Sequence, residues 1–275
     1  MGRGLPMKIL ILGSNGMAGH MLLRYLKEKN HDVQGSDRND FDVLDTTTVD
    51  NFFNSLTCTH DIIINCIGML MGESNNDLPK AILINSWFPK YLEKRFAKSD
   101  TKIIHLSTDC VFDGIKGNYI ENESPTETSN YGVSKAHGEI NNKKDLTLRT
   151  SIIGPEISDH RTGLLDWVLH RSPMQLQGWH DAWWNGVTTL QLAKCIEHVI
   201  VGQPSLAGLY HLSADPINKY DLVRSIVEIY GLTKSVESTN APKYINKVLV
   251  DTRKELKLNI PSHRDMLQQL LEFNK

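Results

Sequence analysis

The sequence predicts an α/β fold in which a doubly wound parallel sheet carries a smaller α/β lobe. Three features of the 275 residues predict it: short apolar runs alternate with helical patterns, a glycine-rich turn follows the first run, and the alternation loosens after Gly154. Repeated strand–helix units with short connections are typical of parallel sheets. Because right-handed crossovers place all strand carboxyl ends at one edge, we expect a ligand to bind there.

The predicted elements follow in order from residue 7. The first strand lies at 8–12, a continuous apolar run of the kind that parallel sheets bury on both faces, and a helix follows over 17–29. The later strands are predicted at 31–36, 61–65, 102–106 and 146–152, and the later helices at 77–98, 130–142, 188–201, 220–230 and 264–273. Pro89 is expected to kink the helix over 77–98, since proline lacks a backbone N–H.

The composition argues against several classes of protein. The formal net charge is −2 and no stripe is strongly basic, so we expect no nucleic acid partner. The longest apolar runs are far too short to span a bilayer, and the first residues lack the apolar core of a signal peptide. The four cysteines form no CxxC pair, and the histidines lack the spacing of metal ligands. We therefore expect a cytoplasmic protein that binds no membrane and no metal.

A glycine-rich turn, formed by Gly13, Gly16 and Gly19, lies directly between the first strand and the first helix. Glycines permit a tight turn and a close approach of the backbone to a pyrophosphate. The amides at the start of the following helix then face the phosphates. Asn15 and Met17 share this turn, which predicts a dinucleotide-binding site.

The end of the second strand bears on the choice of cofactor. Asp37 can accept hydrogen bonds from the adenosine ribose, whereas Arg38 favours a 2′-phosphate. Both residue types are present, so NADPH and NADH remain open at this point. Asp42 and Val43 follow, and we expect them to flank the adenine.

Two further segments carry candidate catalytic side chains. Tyr131 and Lys135 are four residues apart and therefore share one face of a predicted helix. The ammonium group is expected to lower the phenol pKa, which lets Tyr131 protonate a carbonyl oxygen as a hydride reaches the carbon. The segment 106–114, which contains Ser107 and Thr108, leaves the fourth strand at the ligand edge, where a hydroxyl can donate to the same oxygen.

The stretch STDCVFDG over 107–114, together with YGVSK over 131–135, resembles the dTDP-4-dehydrorhamnose reductase family, a branch of the extended short-chain dehydrogenases. The resemblance implies a Rossmann NAD(P)-binding domain over 7–152 with 187–205, and a substrate lobe over 153–186 and 206–275. It implies reduction of the C4 ketone of a nucleoside-diphosphate 4-keto-6-deoxyhexose by NADPH, with NADH as the alternative donor. The nucleotide, UDP or dTDP, and a 2-acetamido group stay open, and a homodimer is compatible with the family.

Carried over position by position, the resemblance assigns roles to the motif residues. Tyr131 is the proton donor, Thr108 is its hydroxyl partner, and Lys135 orients the phenol and contacts the cofactor. The segment beside the cofactor after the third strand consists of Asn65, Cys66 and Ile67. The residues implied to face the sugar nucleotide are Asp109, Ser151, Trp184, Asn185 and Lys247.

Cys110 stands where many relatives carry tyrosine. A cysteine here is similar to that of GDP-fucose synthase and of the epimerase/reductases of UDP-rhamnose synthesis, in which a thiol exchanges a proton next to the ketone. We expect Lys135 to lower the pKa of this thiol. A bifunctional epimerase/4-reductase therefore remains open, although His160 is no clear match for the second acid/base group. A non-catalytic regulatory subunit, as in the beta subunit of methionine adenosyltransferase, also remains open.

Overall fold

A computed structural model describes residues 6–157, 161–253 and 255–275. Its strands are β1 (Lys8–Leu12), β2 (Asp32–Ser36), β3 (Ile62–Asn65), β4 (Lys102–Thr108), β5 (Leu146–Thr150), β6 (Ile152–Ile153), β7 (Gln175–Trp179), β8 (Ala182–Trp184), β9 (Val187–Thr188), β10 (Gly208–His211), β11 (Ile217–Asn218), β12 (Ser235–Thr239) and β13 (Ile245–Asn246). Its α-helices are α1 (Met17–Glu28), α2 (Thr46–Ser55), α3 (Met71–Asn76), α4 (Leu78–Ala81), α5 (Phe88–Arg95), α6 (Asn130–Gly138), α7 (Leu164–Asp166), α8 (Thr189–Gly202), α9 (Lys219–Ile229) and α10 (His263–Phe273). Among these described helices, none has the length and apolar character needed to cross a bilayer.

Six strands form one parallel sheet in the order β10-β5-β4-β3-β1-β2. Every neighbouring pair in this sheet runs parallel. The chain winds outward from β1 to β2 and then returns to β3 on the other side of β1, so helices cover both faces. The predicted doubly wound α/β sheet is confirmed.

The hydrophobic core lies on both faces of the sheet because side chains alternate along each strand. In β1, Ile9 and Ile11 pack into a cluster that includes Leu22 of α1, whereas Leu10 and Leu12 pack into a second cluster. All four β1 side chains are fully buried. A strand buried on both faces needs apolar residues at every position, which accounts for the uninterrupted apolar run.

The predicted helix over 77–98 contains a π-helical turn just before Pro89. This turn (Ile82–Trp87) joins α4 to α5, and Pro89 is the second residue of α5. The turn places Asn85 against α6, and the Asn85 amide donates to Ser134 Oγ over 3.1 Å. The π-helical turn therefore anchors the helix that carries the predicted catalytic residues.

The strand β10 and the helix α2 differ from the prediction. The strand β10 pairs in parallel with β5 and all four of its residues are buried, so the start of the segment 206–275 belongs to the central sheet and not to the second lobe. The helix α2 was not predicted. Its start is marked by Asp45, whose carboxylate accepts a hydrogen bond from the Thr47 amide over 3.0 Å.

The second lobe is built on two small sheets, with α9 and α10 as its long helices. One sheet has the order β11-β8-β13, and the other pairs β12 with β7. The helix α9 packs against β7 and β12, while α10 packs against α8 and α9. A bridge between Tyr119 and Leu249 ties the lobe to the segment that follows β4. This connection holds the lobe beside the carboxyl end of β4.

Candidate active site

The glycine-rich turn has the shape of a phosphate cradle. Gly13 has a φ of +79°, and a β carbon at Gly19 would collide with the Gly13 carbonyl oxygen. Gly16 begins α1 without a side-chain cap, and the first turn of α1 carries no acidic residue. The amides at this helix end thus lack side-chain partners in the part of the chain that the structure describes. A pyrophosphate fits such a helix end.

Asn15 connects the turn to the end of β2. Its Nδ2 donates to Asp37 Oδ2 over 2.6 Å, and the Asn39 amide donates to the other carboxylate oxygen over 2.7 Å. Arg38 is exposed at the same edge. The structure therefore holds the Asp37 carboxylate in a fixed position and leaves the arginine accessible to a ligand.

Other residues predicted to contact the cofactor shape the loops at the sheet edge. Asp42 is exposed and its carboxylate accepts a hydrogen bond from its own loop, whereas Val43 is buried in a core cluster. Asn65 is fully buried, its Oδ1 accepts from the Ile67 amide over 3.1 Å, and its Nδ2 lies 3.1 Å from His105 Nδ1. Direct contact of these side chains with a cofactor stays a prediction.

Thr108 and Tyr131 come together where β4 meets α6. The Thr108 hydroxyl donates to Asp109 Oδ1 and accepts from the Cys110 amide, each over 3.1 Å. The Tyr131 phenol lies next to this hydroxyl, which acts to lower the pKa of the phenol. Ser129 caps α6 by accepting from an amide in its first turn, which fixes the start of the helix next to β4. The two hydroxyls predicted to share one carbonyl oxygen are therefore adjacent.

The protonation state of Tyr131 differs from the prediction. Burial raises the pKa of the phenol well above its ordinary value, and the neighbouring Cys110 and Asp109 raise it further. The predicted lowering by Lys135 is wrong here, because burial dominates and the Lys135 ammonium donates to the Leu106 carbonyl over 2.7 Å. The phenol stays protonated at neutral pH, which is the state that a proton donor needs.

Lys135 is buried beside the loop that follows β3. Burial lowers the pKa of its ammonium group to about 8, and the charges of Glu139 and Cys66 oppose this change. A β carbon at Gly68 would lie 3.8 Å from the Lys135 Nζ, so the ammonium group lies close to this loop. The cation is therefore held at the ligand edge of the sheet, between β4 and the loop after β3.

The Cys110 thiol is half-buried next to Asp109. Burial raises its pKa to about 12, the Asp109 carboxylate raises it too, and Lys247 is the cation that lowers it. Lys247, rather than the predicted Lys135, thus faces this thiol. At neutral pH the group is a thiol and not a thiolate, which makes it a weak base.

Comparison with known proteins assigns the family. The family model described as the RmlD substrate binding domain matches residues 7–267. The chain belongs to this family. It is 27% identical over 249 residues to the spore coat polysaccharide biosynthesis protein SpsK of Bacillus subtilis (strain 168), across 87% of this chain and 85% of SpsK. It is 27% identical over 246 residues to the dTDP-4-dehydrorhamnose reductase of Aggregatibacter actinomycetemcomitans, across 84% and 82% of the two chains. The crystal structure of a dTDP-4-dehydrorhamnose reductase ortholog from Clostridium acetobutylicum ATCC 824 matches with a TM-score of 0.83 at 25% identity, across 98% and 99%.

In this RmlD-family chain, Trp184 and Asn185 stabilise the second lobe. Trp184 is 5% exposed, with the Lys219 Nζ 5.0 Å from its ring centroid and the His263 ring centroid 5.4 Å away. Asn185 donates to the Leu249 carbonyl over 2.7 Å and accepts from the Leu249 amide over 3.0 Å. Packing covers the Trp184 indole and backbone groups bond to the Asn185 amide, and a sugar contact by either side chain stays a prediction.

Lys219 is a site residue that the sequence analysis missed. It is the first residue of α9, and its ammonium group interacts electrostatically with Asp109 and Cys110. Its position depends on the pairing of β11 with β8, which no motif in the sequence reveals. Lys247, which was predicted, forms an ion pair with Glu127 over 3.3 Å. Two lysines of the second lobe therefore lie near the Asp109 carboxylate.

Three further predictions concern Ser151, His160 and metal binding. Ser151 follows β5, and its carbonyl accepts from the Val187 amide over 2.9 Å, so a sugar contact by its side chain stays a prediction. His160 lies outside the described residues. Across the described ranges, no group of histidine, cysteine and acidic residues is arranged to hold a metal ion.

Proposed function

We propose that the protein reduces the C4 ketone of a nucleoside-diphosphate 4-keto-6-deoxyhexose with NADPH. The observation that carries this proposal is the adjacent pair of hydroxyls on Thr108 and Tyr131, at the sheet edge that also holds the Lys135 ammonium. The names of the reductase relatives support a dTDP-linked sugar. A complete set of catalytic groups favours an enzyme over a regulatory subunit.

The catalytic residues act on the ketone oxygen. The Tyr131 phenol donates a hydrogen bond to this oxygen, and the Thr108 hydroxyl donates to it once its proton turns away from Asp109 Oδ1, so that the two groups fix the ketone. NADPH, bound at the glycine-rich turn, supplies the hydride that adds to C4. As negative charge develops on the oxygen, the Tyr131 phenol transfers its proton there and the alcohol forms. A solvent proton then restores the phenol for the next cycle.

The direct test is a substrate panel. The protein is incubated with NADPH and with dTDP- and UDP-linked 4-keto-6-deoxyhexoses, with and without a 2-acetamido group. Loss of nicotinamide absorbance measures turnover, and NMR of the product establishes reduction at C4. We expect the fastest turnover with a dTDP-linked sugar. Absence of NADPH oxidation across the whole panel would contradict the proposal.

Arg38 is proposed to select NADPH. Arg38→Ala should weaken NADPH binding by about 10- to 100-fold and leave NADH binding almost unchanged, because a charge-assisted bond to the 2′-phosphate is lost. Dissociation constants for both cofactors measure the effect. Arg24→Ala is a matched control, because Arg24 is an arginine whose guanidinium donates to the Phe273 carbonyl. Equal losses for both cofactors would show that Arg38 does not contact the 2′-phosphate.

Cys110 bears on the bifunctional alternative. A base that exchanges the proton next to the ketone must first be a thiolate, and burial opposes that state by raising the pKa of Cys110 to about 12. We therefore expect the product formed in D₂O to carry no solvent deuterium at C3 or C5, and Cys110→Ser to retain reduction within about threefold. NMR of the product measures both. Deuterium present with the natural protein and absent with Cys110→Ser would establish an epimerase/reductase instead.

A further inference from the structure

The start of the catalytic helix α6 is built around Glu127. Its Oε1 accepts hydrogen bonds from the amides of Thr128 over 2.9 Å and Ser129 over 3.0 Å, and Ser129 is the residue that caps α6. A β carbon at Gly132, the residue after Tyr131, would collide with Glu127 Cγ. The Glu127 side chain therefore fixes both the residue that caps the helix and the turn that carries the phenol.

The other oxygen of this carboxylate connects α6 to the second lobe. Glu127 Oε2 lies 3.3 Å from the Nζ of Lys247, which directly follows β13. The Glu127 and Lys247 side chains are 19% and 14% exposed, so water and salt screen this pair less than a pair on the open surface. One ion pair thus joins two segments that are 120 residues apart in the sequence.

Lys247 is itself held against the turn that follows β4. The neighbouring Asn246 amide donates to the Gly114 carbonyl over 2.7 Å, which fixes the backbone beside the lysine. Gly114 has a φ of +78°, and a β carbon there would lie 3.1 Å from Lys247 Cγ, so the lysine stem packs closely on the turn. The ammonium group is therefore a partner with a fixed position for the Glu127 carboxylate.

We propose that Glu127 is a positioning residue, which sets the place of the Tyr131 phenol by holding the start of α6 on the second lobe through Lys247. The inference rests on the proposed function, since it takes Tyr131 to be the proton donor. Glu127 transfers no proton, and its effect on the reaction passes through Tyr131. A reacting group that is misplaced by a fraction of an ångström works more slowly, so a small shift of α6 lowers turnover without weakening the binding of the cofactor.

The test breaks the ion pair from either side. Glu127→Gln keeps an oxygen that accepts from the two amides and removes the charge, whereas Lys247→Met removes the partner and decides the matter if Glu127→Gln does not fold. Each substitution should lower kcat by about 5- to 20-fold at saturating sugar and NADPH, because the phenol is less often in the reactive position. The double variant should lose no more than either single variant, since one and the same pair is broken in every case.

Glu123 provides a matched control in the segment that precedes α6. Its Oε2 pairs with Lys116, and its Oε1 accepts from the Ile120 amide over 2.9 Å, so its carboxylate has the same two kinds of partner. The Glu123 and Lys116 side chains are 27% and 60% exposed, and neither is in contact with the start of α6 through a described hydrogen bond. Glu123→Gln should therefore keep kcat within about twofold of the natural value.

A second comparison separates positioning of the phenol from a general structural role. In a Tyr131→Phe protein, Glu127→Gln should lower kcat by less than about twofold further, because the group that it positions is already absent. An equal loss in both backgrounds would overturn the proposal. So would an unchanged kcat in Glu127→Gln, or losses that multiply when Glu127→Gln and Lys247→Met are combined.

Hydrogen exchange distinguishes this proposal from the proposed function. If the natural protein oxidises no NADPH with any sugar of the panel, the proposed function fails. Amide exchange over 128–134, followed by mass spectrometry without substrate, still shows whether the ion pair holds α6. We expect about 10-fold faster exchange in Glu127→Gln and in Lys247→Met, and the natural rate in Glu123→Gln. The natural rate in all three variants would refute the role of Glu127.

Discussion

Replacing Tyr131 by phenylalanine is expected to lower turnover by about 10²- to 10⁴-fold, the range that general acid catalysis supplies. The ring keeps its shape, so the pocket is preserved, but the phenol hydroxyl next to Thr108 is lost. The developing charge on the ketone oxygen then receives no proton from the protein. Steady-state assays with NADPH and the best sugar of the panel measure the loss.

Two controls separate this chemical role from a structural one. NADPH should bind to Tyr131→Phe with a dissociation constant within about threefold of the natural value, because the phenol is proposed to contact the ketone and not the phosphates. Tyr244→Phe removes the hydroxyl of an exposed tyrosine in the second lobe and should keep normal turnover. Near-normal turnover in Tyr131→Phe would remove the reductase assignment altogether.

The sequence predicted the central sheet well because its signals are local. The continuous apolar run of β1 indicates a buried strand, and the glycine-rich segment indicates a tight turn. Neither signal depends on residues far away in the sequence. The strand β10 escaped prediction because Gly208–His211 offers only two apolar side chains in four residues, too few to distinguish a buried strand from a loop. Its place in the sheet comes from pairing with β5, a long-range contact that periodicity does not encode.

The site shows the same division between local and long-range information. The spacing of Tyr131 and Lys135 on one helix and the strand end at Thr108 were predictable, and the structure brings these three residues to the same edge. Lys219 was not predictable, because it depends on how the small sheet of the second lobe packs near Asp109. The direction of the Tyr131 pKa was mispredicted for a related reason: burial is a property of the assembled fold.

A buried ion pair behind Lys135 links the catalytic helix to the sheet. Arg149 donates from Nε to Glu139 Oε1 over 2.6 Å and from Nη2 to Oε2 over 2.7 Å. Ser107 donates to the same carboxylate over 2.7 Å. Burial lowers the pKa of Lys135 to about 8, and the charge of Glu139 counteracts it. The pair thus holds the end of α6 on β5, and the Glu139 carboxylate helps to keep Lys135 protonated.

Breaking the pair is expected to be strongly destabilising. Glu139→Gln and Arg149→Met should each lower the free energy of unfolding by about 3–5 kcal/mol, because each leaves a buried partner without its counter-charge. The double variant should recover most of this loss, since neither charge then remains. Denaturant unfolding of the natural protein and the three variants measures the values. A double variant as unstable as the sum of the singles would show that the two side chains do not stabilise one another.

The same two substitutions should move the pH dependence of turnover in opposite directions. Burial sets the pKa of Lys135 at about 8, so the ammonium group is present below this pH and is lost as the pH rises through it. Without the Glu139 charge that pKa falls, and the alkaline loss of activity should begin at lower pH. Without the Arg149 cation, whose charge is opposite to that of Glu139, the loss should begin at higher pH. Profiles of kcat against pH for the folded variants test this prediction. A pair with a purely structural role would shift both profiles in the same direction or not at all.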